Sequence, residues 1–360
     1  MAEQEKIIEK STAESAATSA AAATKRKWLW RGIALGITAI IIAVIVAVVV
    51  VVVKRNQREA NVDASINPTD RGQSSEDQST ISRIGDLHAL SKYANLTLME
   101  TMQDDDLYGN PNQKLYVIGD IHGSLNEFNQ LVSRLQYNHD AGDRIILAGD
   151  LIMRGPDSVG VIRRAKELKA LCVRGNHDDK VVRMKTYMRT FNNIIPAKGI
   201  IPEGAPVIDP LEFDNYHMEV AQNMTDADYE YLANCPMILA IPVLQALFVH
   251  GGVNPYRKLE DQQPFTVMNV RTIEEDLGAT KEKTGEEWSD IWNLSQENNN
   301  STFPPEYRKI YYGHAAGNGL QLKNYTFGVD TGCVYGRQLT ALEVKSGQLT
   351  QVKCQEYYKN

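Results

Sequence analysis

The sequence predicts an α/β fold preceded by a single transmembrane helix. Short β-branched or aromatic runs alternate with stretches of helical periodicity between residues 114 and 179, and the runs end in glycine followed by polar side chains. Ahead of them, an uncharged apolar run, GIALGITAIIIAVIVAVVVVVV, occupies residues 32–53. It contains no proline, and at about 1.5 Å per residue it is long enough to cross roughly 30 Å of hydrocarbon. A cleaved signal peptide is the rival reading. The run is too long for a signal's apolar region, begins well into the chain, and lacks a small-residue cleavage site after it.

The rest of the chain divides around this run. Residues 1–27, rich in Ala, Ser, Thr and Glu, read as a low-complexity cytosolic tail; 28–53 as the transmembrane helix; 54–112 as a flexible polar stalk; and 113–356 as the folded domain. Lys25, Arg26, Lys27 and Arg31 precede the span and Lys54, Arg55 and Arg58 follow it, a slight bias toward a cytosolic N-terminus. Asn95, Asn223, Asn293, Asn299, Asn300 and Asn324 each open an N-x-S/T triplet. This fits a luminal domain exposed to glycosylation, although an Asn-rich chain also makes such triplets by chance. The four cysteines, Cys172, Cys235, Cys333 and Cys354, permit two disulfides and lack metal-type C-x-x-C spacing. Cys172 and Cys333 sit in apolar segments, where a buried free thiol is the commoner state. A net charge of −7 argues against a general nucleic-acid binder.

Within the folded part, KLYVIGDIHG, RIILAGDLI, LCVRGNHDD, ALFVHGG and KIYYGHA each read as a strand that ends beside polar side chains. NEFNQLVSRLQY and SVGVIRRAKELKA, between the first three, carry apolar residues at helical spacing. This is β-α-β-α-β, whose right-handed crossovers place successive strand ends on one edge of a sheet, where ligands of such sheets bind. Asp120, His122, Asp150, Asn176, His250 and His314 would then converge. Imidazole, carboxylate and amide oxygen without thiolate suit Zn, Mn, Fe or Co. Six protein ligands are too many for one catalytic ion with an open position, and two ions sharing a carboxylate use them sensibly.

These motifs, D-x-H (Asp120, His122), GD-x-x-x-RG (Gly149 to Gly155), GNHD (Gly175 to Asp178), VHGG (Val249 to Gly252) and GHA (Gly313 to Ala315), in this order, resemble the calcineurin-type metallophosphoesterases of the phosphoprotein phosphatase superfamily. The resemblance implies a four-layer β-sandwich flanked by helices and a metallophosphoesterase domain over 113–356. It implies that Asp120 and His122 hold a first metal, that Asp150 bridges, and that Asn176, His250 and His314 hold a second. It also implies that Arg154 and Arg271 clamp phosphate oxygens, that His177 is the general acid, and that a hydroxide between the ions attacks phosphorus.

Met153 departs from the protein-serine/threonine phosphatases, which carry at this position an aspartate that partners the acid histidine. Without that charge a serine alkoxide leaves badly, whereas a phosphate leaving group hardly needs a proton. The departure favours phosphoanhydride cleavage and is similar to the ApaH-like branch, related to bacterial diadenosine tetraphosphate hydrolases; GVDTGCVYGRQLTAL (328–342) is similar to that branch as well. With its anchor and triplets the chain most resembles the fungal vacuolar endopolyphosphatases. That implies a type II protein of the vacuolar membrane, with zinc as metal and inorganic polyphosphate as substrate. Dinucleoside polyphosphate or RNA-cap hydrolysis, protein phosphatase activity, and an inactive anchored scaffold stay open beside it.

Overall fold

The computed structural model describes residues 90–102, 113–192 and 215–359, with 199, 200, 203, 204, 207 and 209–212 between them. The chain divides into two compact units, Met1–Ser74 and Ser75–Asn360, and every described residue lies in the second. The predicted cytosolic tail, membrane span and most of the stalk lie outside the described residues. Among those described, no helix is long and apolar enough to cross a membrane.

A short strand, β1 (Met99–Thr101), precedes the run that the sequence predicts: β2 (Leu115–Ile118), α1 (Leu125–Leu135), β3 (Arg144–Leu147), α2 (Ser158–Glu167), β4 (Leu171–Cys172) and α3 (Asn176–Thr190). Helices α4 (Asn215–Asn223) and α5 (Asp226–Ala233) lead to β5 (Ile238–Ile241) and β6 (Ala246–Val249). Then α6 (Pro264–Asn269) leads to a small sheet of β7 (Thr272–Ile273), β8 (Ala279–Thr280) and β9 (Glu286–Glu287). The chain continues through α7 (Trp288–Glu297), β10 (Lys309–Tyr312), β11 (Gln321–Leu322), β12 (Thr326–Gly328), β13 (Gln338–Glu343) and β14 (Leu349–Lys353).

Two larger sheets face each other, one in the order β14-β13-β2-β3-β4 and the other β1-β5-β6-β10-β12-β11. Strands β2, β3 and β4 are parallel, as are β6, β10 and β12, so each group delivers its C-terminal ends to one edge. Side chains alternate across each strand. Leu115, Val117 and Ile146 point between the sheets and meet Leu239, Phe248 and Tyr311 of the other sheet. Tyr116, Ile118, Ile145 and Leu147 point outward onto Phe128 and Leu131 of α1 and Val161 and Ile162 of α2. On the opposite face Leu247 and Ile310 pack against Val267, Ile291 and Trp292. The result is the expected four-layer sandwich, with each buried aliphatic side chain contributing roughly 1.5–3 kcal/mol. Helix α1 forms because Phe128, Leu131, Val132 and Leu135 share one buried face. Asp157 caps α2 by accepting the Gly160 N–H.

Three expectations are corrected. The segment 90–102, read as stalk, belongs to the fold: β1 pairs with β5, Tyr93 and Ala94 are buried, and the buried guanidinium of Arg174 donates to the carbonyls of Ala94, Asn95 and Ala233. The side chains of β1 are all exposed, so its docking through backbone leaves no apolar pattern to read. The cysteines are not free thiols: Cys172 pairs with Cys235 and Cys333 with Cys354, with Cα atoms 5.1 and 5.2 Å apart. Their apolar surroundings fit a buried disulfide as well as a thiol. Of the six Asn triplets, Asn293 is buried and its amide donates to Ser289 O and Thr326 Oγ1, which leaves no room for a glycan.

Candidate metal centre

The residues that the sequence singles out follow the C-terminal ends of these parallel strands. Asp120 and His122 follow β2, Asp150 follows β3, and Asn176 opens α3 after β4; His250 follows β6 and His314 follows β10. Reaching inward from a strand end takes unusual backbone. His122, Asp150, Met153, Arg154 and His314 have φ between 48° and 78°. This left-handed region costs an ordinary residue about 1–2 kcal/mol, and such strain persists where the surroundings over-determine it. Gly149 (φ 87°) and Gly313 allow the close approach, since a Cβ at the first would strike the His250 ring and at the second the Asp120 carboxylate.

Asp120, His122 and Asp150 form one group of donor atoms that could hold an ion, and Asp150, His250 and His314 form another, each within 4.8 Å. Asp150 is common to both. His122 Nε2 lies 3.7 Å from Asp120 Oδ2 and 3.6 Å from Asp150 Oδ2, and His250 Nε2 lies 3.4 Å from the same Asp150 oxygen. Asn176 joins through its Oδ1, 3.0 Å from His250 Nε2. The remaining ring nitrogens are engaged by carbonyls: His122 Nδ1 with Ile152 O at 3.0 Å, His250 Nδ1 with Ala148 O at 2.8 Å, and His314 Nε2 with Asn269 O at 3.2 Å. Such partners fix the ring and turn the other nitrogen toward a metal. The carboxylates are oriented too, since Asp150 Oδ1 accepts the His177 N–H and Asp120 Oδ1 the His314 N–H, both at 2.9 Å. A shared carboxylate, imidazole nitrogens aimed inward and no thiolate fit a pair of divalent ions.

Burial makes the site electrostatically demanding. It would raise Asp150, but the imidazoles of His250, His177 and His122 hold that carboxyl well below its ordinary range. Burial would lower His250, yet Asp150 and Asp120 push it up to about 10. Burial, with Asp330 and Asp150 close by, raises the Asp120 carboxyl well above its usual value. It also lowers His122 to about 4 and His177 to about 3. Carboxylates crowded out of water need positive charge for compensation, which divalent ions supply.

The cluster opens into a cavity of about 660 Å³ whose rim carries Arg154, Arg271, Arg337, Lys180, Lys281 and Lys283 together with Asp209, Glu282 and Glu287, Lys180 being paired with Asp209 at 3.3 Å. Both arginines singled out in the sequence are on it, as is His177. Met153 is buried, 2% exposed, in the apolar core shared by α1, α2 and α3, and its N–H donates to Ser158 Oγ. No carboxylate is supplied from that position. Instead His177 Nδ1 lies 3.2 Å from Nε2 of His217, on α4.

The sequence reading left several contributors unassigned. Buried Asp330, in the GVDTG motif, lies on the cavity beside Asp120 and accepts the Gly332 N–H. The motif itself was the available signal. Asp178 accepts the N–H groups of Gly175 and Leu151 and so joins the GNHD turn to the GDLI loop. His217 carries no motif and gives no signal.

The chain matches the Calcineurin-like phosphoesterase family over residues 113–331, more than half its length. Among curated relatives, an asymmetrical bis(5'-nucleosyl)-tetraphosphatase (PrpE) of Oceanobacillus iheyensis is 25% identical over 256 residues, covering 66% of this chain and 92% of the relative. A symmetrical bis(5'-nucleosyl)-tetraphosphatase of Coxiella burnetii is 27% identical over 289 residues, covering 67% and 91%. Among solved structures, that of a candidate diadenosine tetraphosphatase is similar with a TM-score of 0.56 and 26% identity, covering 72% of this chain and 99% of its own. Strand-end motifs, sandwich and donor cluster agree with this match, and the chain belongs to the calcineurin-like phosphoesterase family.

Proposed function

We propose that this chain hydrolyses phosphoanhydride bonds, with dinucleoside polyphosphates as its substrate class. The observation that carries the choice of bond is the surroundings of His177: Met153 is withdrawn into the core, and the ring faces the His217 imidazole instead of a carboxylate. An imidazole so placed is a poor proton donor, and a phosphate leaving group, with its last ionisation near pH 6, hardly needs one. The curated relatives named as bis(5'-nucleosyl)-tetraphosphatases support the substrate class.

In this reading Asp120, His122, Asp150, Asn176, His250 and His314 hold two divalent ions, with zinc as the expected metal. Bound there, the ions supply positive charge to the phosphoryl group and acidity to a water molecule. Arg154 and Arg271 pair with non-bridging oxygens, where guanidinium forks match the geometry of phosphate and compensate its developing charge. His177 hydrogen-bonds the departing oxygen.

Inorganic polyphosphate is the second reading, favoured by the lysines and arginines that continue around the rim beyond Arg154 and Arg271. Diadenosine tetraphosphate and long-chain polyphosphate assayed side by side with metal-loaded protein separate the two; cleavage of neither, by folded and loaded protein, contradicts the proposal. The apolar run at 32–53 would anchor the chain in a membrane, vacuolar by the family resemblance, with this domain in the lumen. The two disulfides support an oxidising compartment. Resistance of the domain to protease in sealed organelles tests that orientation.

A further inference from the structure

Arg154 sits between the donor cluster, where its Nη1 lies 3.1 Å from His122 Nε2, and two tyrosines, Tyr335 and Tyr358, the latter on the C-terminal tail. Its Nη1 donates to the Tyr335 hydroxyl at 2.7 Å. Its Cζ lies 5.7 Å from the Tyr335 ring centroid and 5.4 Å from that of Tyr358. The two rings meet edge to face, with centroids 6.2 Å apart. Tyr335 also lies on the cavity, beside the guanidinium that it contacts.

The tail reaches this place through fixed connections. The Cys333–Cys354 disulfide joins its root to the loop that carries Asp330 and Tyr335. Glu356 bridges Tyr335 in antiparallel fashion, and the N–H groups of Tyr357 and Tyr358 both donate to Val334 O, at 2.9 and 3.1 Å. From below, the buried Glu127 of α1 accepts the Gln355 N–H at 3.3 Å and the Tyr357 hydroxyl at 3.1 Å. The segment 355–358 is thus fastened on two sides, with the Tyr358 ring laid on Arg154.

An arginine side chain has large rotamer freedom, and a guanidinium that must be immobilised on each encounter binds phosphate less well than one already in place. Aromatic faces attract the cation, and a phenol oxygen accepts from it without neutralising its charge. We propose that Tyr335 and Tyr358 are positioning residues that hold the Arg154 guanidinium ready for substrate phosphate, and that the C-terminal tail is therefore part of the substrate site. This rests on the reading of Arg154 as a phosphate clamp.

The test is a double-mutant comparison in the full chain. Tyr335→Phe, Tyr358→Leu and a chain ended after Cys354 are each made with Arg154 present and with Arg154→Ala. The measurements are KM and kcat for diadenosine tetraphosphate, binding of inorganic phosphate, and the unfolding midpoint. With Arg154 present, each change is expected to weaken phosphate binding and raise KM by about three- to tenfold. The two point variants should keep the midpoint, and in the Arg154→Ala background none of the changes should have a further effect. Equal losses in both backgrounds, or no loss when Arg154 is present, overturn the proposal. If the unmodified protein cleaves no phosphoanhydride, the proposed function fails by itself, because inorganic phosphate binding still reports on the tail.

Discussion

His177 and His217 meet edge to edge, with Nδ1 to Nε2 at 3.2 Å, ring planes 7° from parallel and centroids 5.5 Å apart. A carboxylate in this place would favour imidazolium; a second imidazole does not. The pair is therefore suited to expelling a group that leaves without a proton. His217→Asp should raise the His177 pKa by about one unit and extend its protonated form to higher pH. We expect the ratio of phosphoserine-peptide to diadenosine tetraphosphate turnover to rise roughly three- to tenfold, with the alkaline limb of the ester profile moving up. An unchanged ratio in folded, metal-loaded protein would mean that the missing acid does not set bond preference.

Metal uptake should be linked to protons. Asp150 and Asp120 push His250 up to about 10, so without metal this ring is protonated at neutral pH. An ion must displace that proton, and affinity should rise with pH by about tenfold per unit while the pH stays below that value. Competition titrations of stripped protein with zinc between pH 6 and pH 8 measure the slope. His250→Ala removes a donor and the competing proton together, so affinity should fall about 10- to 100-fold and the slope should flatten. A slope that is steep and unaltered in His250→Ala would place the displaced proton elsewhere.

The Cys172–Cys235 disulfide closes a chain separation of 63 residues and joins β4 to the start of the β5 segment. A loop of that length corresponds to about 4 kcal/mol in the chain-entropy picture. Replacing both cysteines by alanine should lower the unfolding midpoint by roughly 10 °C, at about 2–4 °C per kcal/mol for a domain of this size. Thermal unfolding with and without reductant reads the effect. Free thiols titrated in the native, unreduced protein would contradict the pairing.

What could be read in advance divides along physical lines. The strand ends at Asp120, Asp150, Asn176, His250 and His314 were legible because a β-branched run, a glycine and a polar side chain are local signals, and parallel crossovers carry such ends to one edge. Disulfide pairing was not, since it depends on which apolar segments stack in three dimensions. His217 is 40 positions from His177, on a helix without a motif, and only packing joins them. Strand β1 was hidden because it docks by backbone alone, with every side chain exposed. Met153 stands out in the sequence as a departure, but its burial in the helix-facing core and the imidazole that faces His177 instead belong to the fold. The contact between Arg154 and Tyr358 has the same character: GD-x-x-x-RG marks the arginine, and nothing in the sequence near Tyr358 announces that it reaches Arg154.

In the proposed reading, carboxylates and imidazoles from distant strand ends hold two ions that activate hydrolysis of a phosphoanhydride. Full-length protein stripped by chelator, then titrated with zinc, manganese or cobalt while metal content and diadenosine tetraphosphate cleavage are followed together, tests it most directly. Stripped protein should show no turnover, activity should recover and saturate near two ions per chain, and Asp150→Ala should lose both ions and turnover together. Undiminished cleavage after exhaustive removal of metal would contradict that reading.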